Sequence, residues 1–140
     1  RLTMKKLLLI LLCLPLLFSC GDRTKTKEDK NVQELNTSNK KHIEDWIEST
    51  KSQNFLPHTN YETGVVWYDM INENNINVVF CYYVPEKFNF MQKEEFVSFC
   101  KSEPDFTELL NLDINLIWRY YDVLDKETLL REIIVNVKDI

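Results

Sequence analysis

The sequence predicts an α+β fold of two layers, a four-stranded antiparallel sheet with two helices on one face, in the order helix-hairpin-helix-hairpin. Three observations predict it. Apolar residues recur at helical spacing in two separate stretches. Two pairs of β-branched and aromatic runs each flank a polar turn. The whole alternation falls within residues 42–140, enough chain for one domain but not two.

Ahead of that domain the chain opens on an export signal. Lys5 and Lys6 follow Met4, the expected start, and Leu7 to Phe18 carries no charge, so residues 1–19 have a basic n-region and an apolar h-region. These twelve uncharged residues fall short of the ~20 that a helix needs to cross hydrocarbon, and Pro15 interrupts them. The segment therefore reads as a signal peptide, not a membrane span.

The close of that signal, "LFSC", with Leu17, Phe18 and small Ser19 before Cys20, resembles the lipobox of bacterial lipoproteins. The resemblance implies a diacylglyceryl group on the Cys20 thiol, cleavage just before it, and palmitate-type acylation of the new amine. At ~0.8 kcal/mol per buried methylene, two or three acyl chains hold a protein on a bilayer durably. It also implies a lipid-anchored place in the cell envelope. Gly21 after Cys20 is compatible, in that class, with the outer membrane, on its periplasmic side or at the cell surface.

Residues 20–41 then read as a tether, since Val32 and Leu35 are the only apolar side chains after Cys20 and the rest is rich in Lys, Asn and Thr. A flexible chain of that length spans roughly 25 Å on average. The tether carries six basic and four acidic side chains, whereas residues 42–140 carry eight basic and eighteen acidic ones. So acidic a domain is repelled by nucleic acid and by anionic lipid, which excludes both as its partners.

Within the domain, Ile43, Trp46 and Ile47 recur at helical spacing, with Ser38 as an N-cap and Pro57 closing the helix. "TGVVWYDMI" and "INVVFCYYV" flank "NENN", a hairpin signal. "MQKEEFVSFCKS" returns to helical spacing through Phe96, Phe99 and Cys100, and "EPDFTELLN" adds a short helical turn started by Pro104. "INLIWRYYD" and "TLLREIIVNV" then flank "VLDKE" as the second hairpin.

Register follows from matching side chains across each turn, because a slip of one residue exchanges the faces. Centring the second hairpin on Asp125–Lys126 pairs Trp118 with Ile133, Leu116 with Val135 and Ile114 with Val137. On its opposite face Arg119 meets Glu132, Ile117 meets Ile134 and Asn115 meets Asn136. Centring the first on Glu73–Asn74 pairs Trp67 with Phe80, Val65 with Tyr82 and Ile71 with Ile76 toward the helices. Val66, Tyr68 and Met70 then lie on the far face with Cys81, Val79 and Asn77.

That far face carries Tyr68, Met70, Tyr83, Tyr121, Leu130 and Ile134 among Arg119, Glu132 and three asparagines, too apolar for a fully wetted sheet. Three covers are open: the C-terminus or tether, a second subunit, or a ligand. The binding residues expected there are Tyr68, Tyr83, Arg119, Tyr121 and Glu132.

Catalytic signatures are sparse. His42 and His58 stand 16 apart with no cysteine or histidine at zinc-ligand spacing, which predicts no metal site. The only glycines are Gly21 and Gly64, so no phosphate-cradling loop exists and no cofactor is expected. Carboxylate pairs such as Glu94–Glu95 and Asp122–Asp125 fall at helix and turn positions that face solvent. The register sends Cys81 and Cys100 to different sides of the sheet, favouring two reduced, buried thiols over a disulfide.

The run "CKSEPDFTELLNLDINLIWRYYD", with Cys100 four residues before Pro104 and a strand ending in Tyr-Tyr-Asp, resembles a pattern of small exported bacterial proteins. That resemblance implies the fold and an envelope location, and no activity. The expected function is that of a non-enzymatic, membrane-anchored envelope lipoprotein binding a protein or small ligand, an inhibitor or immunity-type factor being one form. The alternative is an envelope hydrolase using a cysteine or carboxylate site.

Overall fold

A computed structural model of the chain describes residues 37–140, so the signal, Cys20 and the tether up to residue 36 lie outside the described residues. Helix α1 occupies 37–54. It is followed by β1 (His58–Asn60), β2 (Val65–Glu73), β3 (Asn77–Val84), α2 (Lys93–Ser102), α3 (Pro104–Asn111), β4 (Asn115–Asp122), β5 (Leu129–Val135) and a 3₁₀ turn, Val137–Asp139. No helix among the described residues is long and apolar enough to cross a membrane.

The α+β class holds, but the expected four-stranded antiparallel sheet is corrected to five strands in the order β1-β2-β3-β4-β5, with β3 and β4 parallel. The physical reason is the connection: β3 leads through two helices into its neighbour β4, and a helical crossover returns the chain at the starting end, making the next strand parallel. β1 pairs three residues, His58–Asn60, with Val65–Trp67. Its single intervening turn is tight: Gly64 takes φ +73° and donates its N–H to the Asn60 carbonyl at 2.8 Å, while Asn60 Oδ1 accepts from Glu62 and Thr63. A glycine suits that left-handed position.

Each helix is set by local chemistry. Ser38, expected as the N-cap of the first helix, lies inside α1 instead, because residues 37–41 are already helical. At α2 the Gln92 N–H donates to Glu95 Oε2 at 2.7 Å, satisfying a donor at the helix start, and Glu94 and Glu95 place negative charge in the first turn. Pro104 opens α3 at a position where its missing N–H costs nothing. The expected two helices are corrected to three, because Glu103 is extended and Pro104 starts α3 as a helix of its own after α2, and all three pack on one side of the sheet. Ile43 and Ile47 of α1, Phe96 and Cys100 of α2, and Leu109 and Leu110 of α3 share a core with Val78, Phe80, Leu116, Trp118, Ile133 and Val135.

The second hairpin keeps the expected register at four pairs, Trp118–Ile133, Leu116–Val135, Arg119–Glu132 and Ile117–Ile134. Nearer the turn a bulge adds Leu130, so Tyr121 pairs with Leu129. Beyond Val135 the ladder stops: Asn136, expected opposite Asn115, caps the 3₁₀ turn by accepting from the Lys138 N–H at 3.0 Å.

The first hairpin departs further. Asn74 and Asn75 both adopt positive φ and move the turn toward Asn75, so Met70 pairs with Phe80 and Ile71 with Val79. A bulge at Tyr68 absorbs one residue, and upstream of it Trp67 pairs with Tyr82 instead of the expected Phe80 while keeping its expected helix-facing side. Met70, expected on the far face, is therefore buried among the helices at 1% exposure, and Ile71, expected there, lies on the far face at 39%.

Trp118 is 4% exposed and stacks on Phe80 at 4.8 Å between ring centres, with Phe96 at 4.9 Å. Truncation to alanine leaves a large cavity, so Trp118→Ala is expected to cost ~3–5 kcal/mol in a urea titration, whereas Ile71→Ala costs under ~1 kcal/mol. Equal losses would contradict the assignment of the two residues to opposite faces.

Candidate functional site

The face opposite the helices carries no other element among the described residues. Parallel pairing of β3 with β4 lays four rows across it: Asn77–Asn115, Val79–Ile117, Cys81–Arg119 and Tyr83–Tyr121. Val79, Cys81 and Ile117 form a small buried cluster of their own, with Tyr68 packed against it. The face thus has an apolar floor, a polar end and an aromatic end.

At the polar end the side chains are already engaged with one another. Arg119 donates through Nη1 and Nη2 to the two carboxylate oxygens of Glu73 at 2.9 and 3.1 Å, and through Nε to Glu132 Oε2 at 2.6 Å. Asn77 donates to Glu73 at 3.1 Å and Asn115 donates to Asn77 at 2.8 Å, so one chain of hydrogen bonds runs from β5 to β2 and back to β4. Arg119 reaches from the third row to the first and so bridges the apolar Val79–Ile117 row. Its guanidinium holds the Glu73 carboxyl below the usual carboxylate range, and burial opposes this only in part.

At the aromatic end Tyr68 lies flat on Tyr83, with ring centres 3.9 Å apart and planes 10° from parallel, and meets Tyr121 edge-on at 6.5 Å. The bulge at Tyr68 is what brings β2 into this stack. The Lys126 ammonium sits 5.4 Å from the centre of the Tyr83 ring, on its face. Burial, followed by the neighbouring Cys81, raises the Tyr68 hydroxyl far above the ordinary phenol value, so it stays a neutral hydrogen-bonding group.

Of the five expected binding residues, the structure gathers Tyr68, Tyr83 and Tyr121 into one plate and joins Arg119 to Glu132. The missed member is Glu73, which the shifted turn brings within reach of Arg119 two strands away. Local sequence carries no signal for it, since the contact depends on how β3 aligns with β4.

The histidines, carboxylates and thiols singled out in the sequence have the following surroundings. His42 approaches Glu108 at 3.7 Å, and His58 lines a groove with Gln53, Asn54, Phe55 and Trp67 that contains no cysteine. Asp122 accepts from the Leu124 N–H, and Asp125 accepts from Glu127 and Thr128, so both carboxylates stitch the β4–β5 turn. Cys81 and Cys100 are free and buried, one under the open face and the other among the helices; burial pushes the Cys100 thiol up to about 11 and raises Cys81 as well. On the helix side an apolar cleft of about 290 Å³ is lined by Val65, Tyr82, Phe88, Met91, Phe96 and Phe99, among others. Its sequence signal is the aromatic loop "KFNFM", Lys87 to Met91.

A carboxyl with a depressed folded-state pKa contributes stability that is complete above its unfolded value, ~4.3 for glutamate, and is lost as pH falls through the lowered value. Arg119→Met removes that contribution, so wild type and variant should differ by about 1–2 kcal/mol near neutral pH and converge in acid. A difference that grows toward acid would contradict the Arg119–Glu73 assignment. In the native protein, Cys81 and Cys100 should resist alkylation at pH 8 and react only after unfolding, as read by mass spectrometry.

No family model matches the chain, and no curated protein matches its sequence. Among solved structures, the fold is similar to that of a protein of Pseudomonas aeruginosa inferred to be secreted, with TM-score 0.62 and 9% identity over 75% of this chain and 95% of that one. It is also similar to the pilotin of the Vibrio vulnificus type 2 secretion system, with TM-score 0.51 and 11% identity over 76% of this chain and 92% of the pilotin. At these identities what is shared is the fold.

Proposed function

We propose that the protein is a non-enzymatic lipoprotein of the bacterial cell envelope whose domain docks a protein partner on the open sheet face. In this reading residues 1–19 are the signal that is removed, Cys20 carries the acyl chains, and the segment from Cys20 to α1 tethers the domain to the outer membrane. Two structural neighbours, one inferred to be secreted and the other a secretion-system pilotin, support the reading of an exported domain.

The observation that carries the reading is the Tyr68–Tyr83–Tyr121 plate beside a hydrogen-bonded polar chain on a face that no described element covers. Tyrosine gives large contact area for little ordering cost and keeps a polar tip for the partner. The grooves beside α1 and α2 are lined by none of the three tyrosines, so the plate offers a flat surface suited to a protein more than a pocket suited to a small molecule. With Arg119 already paired to two carboxylates, the charged end acts as a rigid border, and the tyrosines are the contact. A hydrolase is disfavoured by where the nucleophile candidates sit: both thiols are buried and protonated, and His58 faces no cysteine.

Anchoring is tested by Cys20→Ser, which should release the protein from membranes with its fold unchanged; persistent membrane association would contradict lipid attachment. Docking is tested in cells with a photo-crosslinking residue placed at Tyr121 or, as control, at exposed Ser98 on α2. A discrete protein adduct from position 121 alone is expected. Identical adducts from both positions, or none from 121, would overturn the docking surface.

A further inference from the structure

β1 covers only Val65–Trp67 of β2, so beyond the Tyr68 bulge the outer edge of β2 from Met70 to Glu73 has no strand beside it among the described residues. Along that edge runs a groove of about 510 Å³ lined by Glu44, Ile47, Glu48 and Lys51 of α1 and by Met70, Ile71 and Asn72 of β2. Ile47 and Met70 are buried and form an apolar floor. Ile71 projects to the opposite face yet still borders the groove, so the groove opens sideways at the sheet edge.

We propose that this edge is a second binding site, which takes an extended peptide segment of a partner protein by strand addition to β2. The backbone specifies the extended form, because an unpaired strand edge offers peptide groups that only another strand satisfies in series. The side chains specify its character. Lys51 is engaged by Asp69, Glu44 is held only loosely by exposed Lys40 at 3.9 Å, and Glu73 belongs to Arg119. Glu44 and Glu48 are thus the charges left to face an incoming chain, on a domain with ten more acidic than basic side chains over residues 42–140. The occupant that complements them carries lysine or arginine flanking an apolar residue on its groove-facing side. Asp69 marks where the site begins: its carboxylate accepts from the Met70 N–H at 2.8 Å and so blocks strand addition at the bulge.

The inference does not rest on the open face being a docking surface, and the test separates the two. The probe is a capped heptapeptide with lysine, isoleucine and lysine at alternate positions and threonine at the rest, titrated into the full-length protein in detergent micelles and followed by amide chemical shifts. Shifts should cluster at 44–51 and 70–73, with slowed exchange of the edge-facing amide within Ile71–Glu73, the Met70 N–H being already bonded to Asp69. Replacing the lysines by glutamate, N-methylating the peptide backbone, or introducing E44Q with E48Q should each weaken binding roughly tenfold or more. Because Glu44 and Glu48 are exposed, that variant keeps its fold. No shifts, shifts confined to the rows of Tyr83 and Tyr121, or an N-methylated peptide that binds equally well would each overturn strand addition at β2.

Discussion

The parallel pairing of β3 with β4 is the constraint on which the rest of the molecule depends. A crossover of two helices must pass over one face of the sheet, and the hand of that connection places α2 and α3 on the same side as α1. The core then forms on one side only, with Phe80 and Trp118 as adjacent stacked rings in neighbouring parallel strands and Phe106 and Phe96 closing over them. The other side inherits what the same alignment leaves there: a row of asparagines, an apolar row, Cys81 beside Arg119, and two tyrosines side by side.

That second face is specific in a way that a solvated sheet need not be. Its single arginine is used twice over by carboxylates from two other strands, which fixes the relative positions of β2, β4 and β5 at one end. Its tyrosines are stacked on one another, so their rings are held before any partner arrives and little rotamer freedom is left to lose on contact. Val79, Cys81 and Ile117 form a buried cluster against which Tyr68 packs.

How much of this could be read in the sequence divides by range of interaction. The second hairpin was legible because its pattern is regular on both faces: Trp118–Ile133 and Arg119–Glu132 match only in one register. The first was not, because Tyr68 is an inserted residue that restores the pattern upstream while reversing it downstream, and alternation alone cannot mark where a bulge lies. β1 is three residues long and too short for a periodic signal. The parallel pairing was implied by a helical segment standing between two strands, but the helix-hairpin-helix-hairpin order suggested an antiparallel sheet. The tyrosine plate was legible from alternation, whereas the partnership of Arg119 with Glu73 required knowing which strands are neighbours. Fold similarity without sequence similarity has the same cause, since layers and connections persist where side chains do not.

The central claim, that the open face is a surface covered by a partner in its native setting, is tested most directly by oxidative footprinting of tyrosines in two states of the full-length protein. One is the protein in its native membranes, the other is the same protein purified in detergent. Tyr61, 93% exposed in the β1–β2 turn and not part of the stacked plate, serves as the internal reference. The account predicts that Tyr83 and Tyr121 are modified in the purified protein and protected in membranes, while Tyr61 reacts equally in both. Equal modification of Tyr83 and Tyr121 in the two states would contradict it.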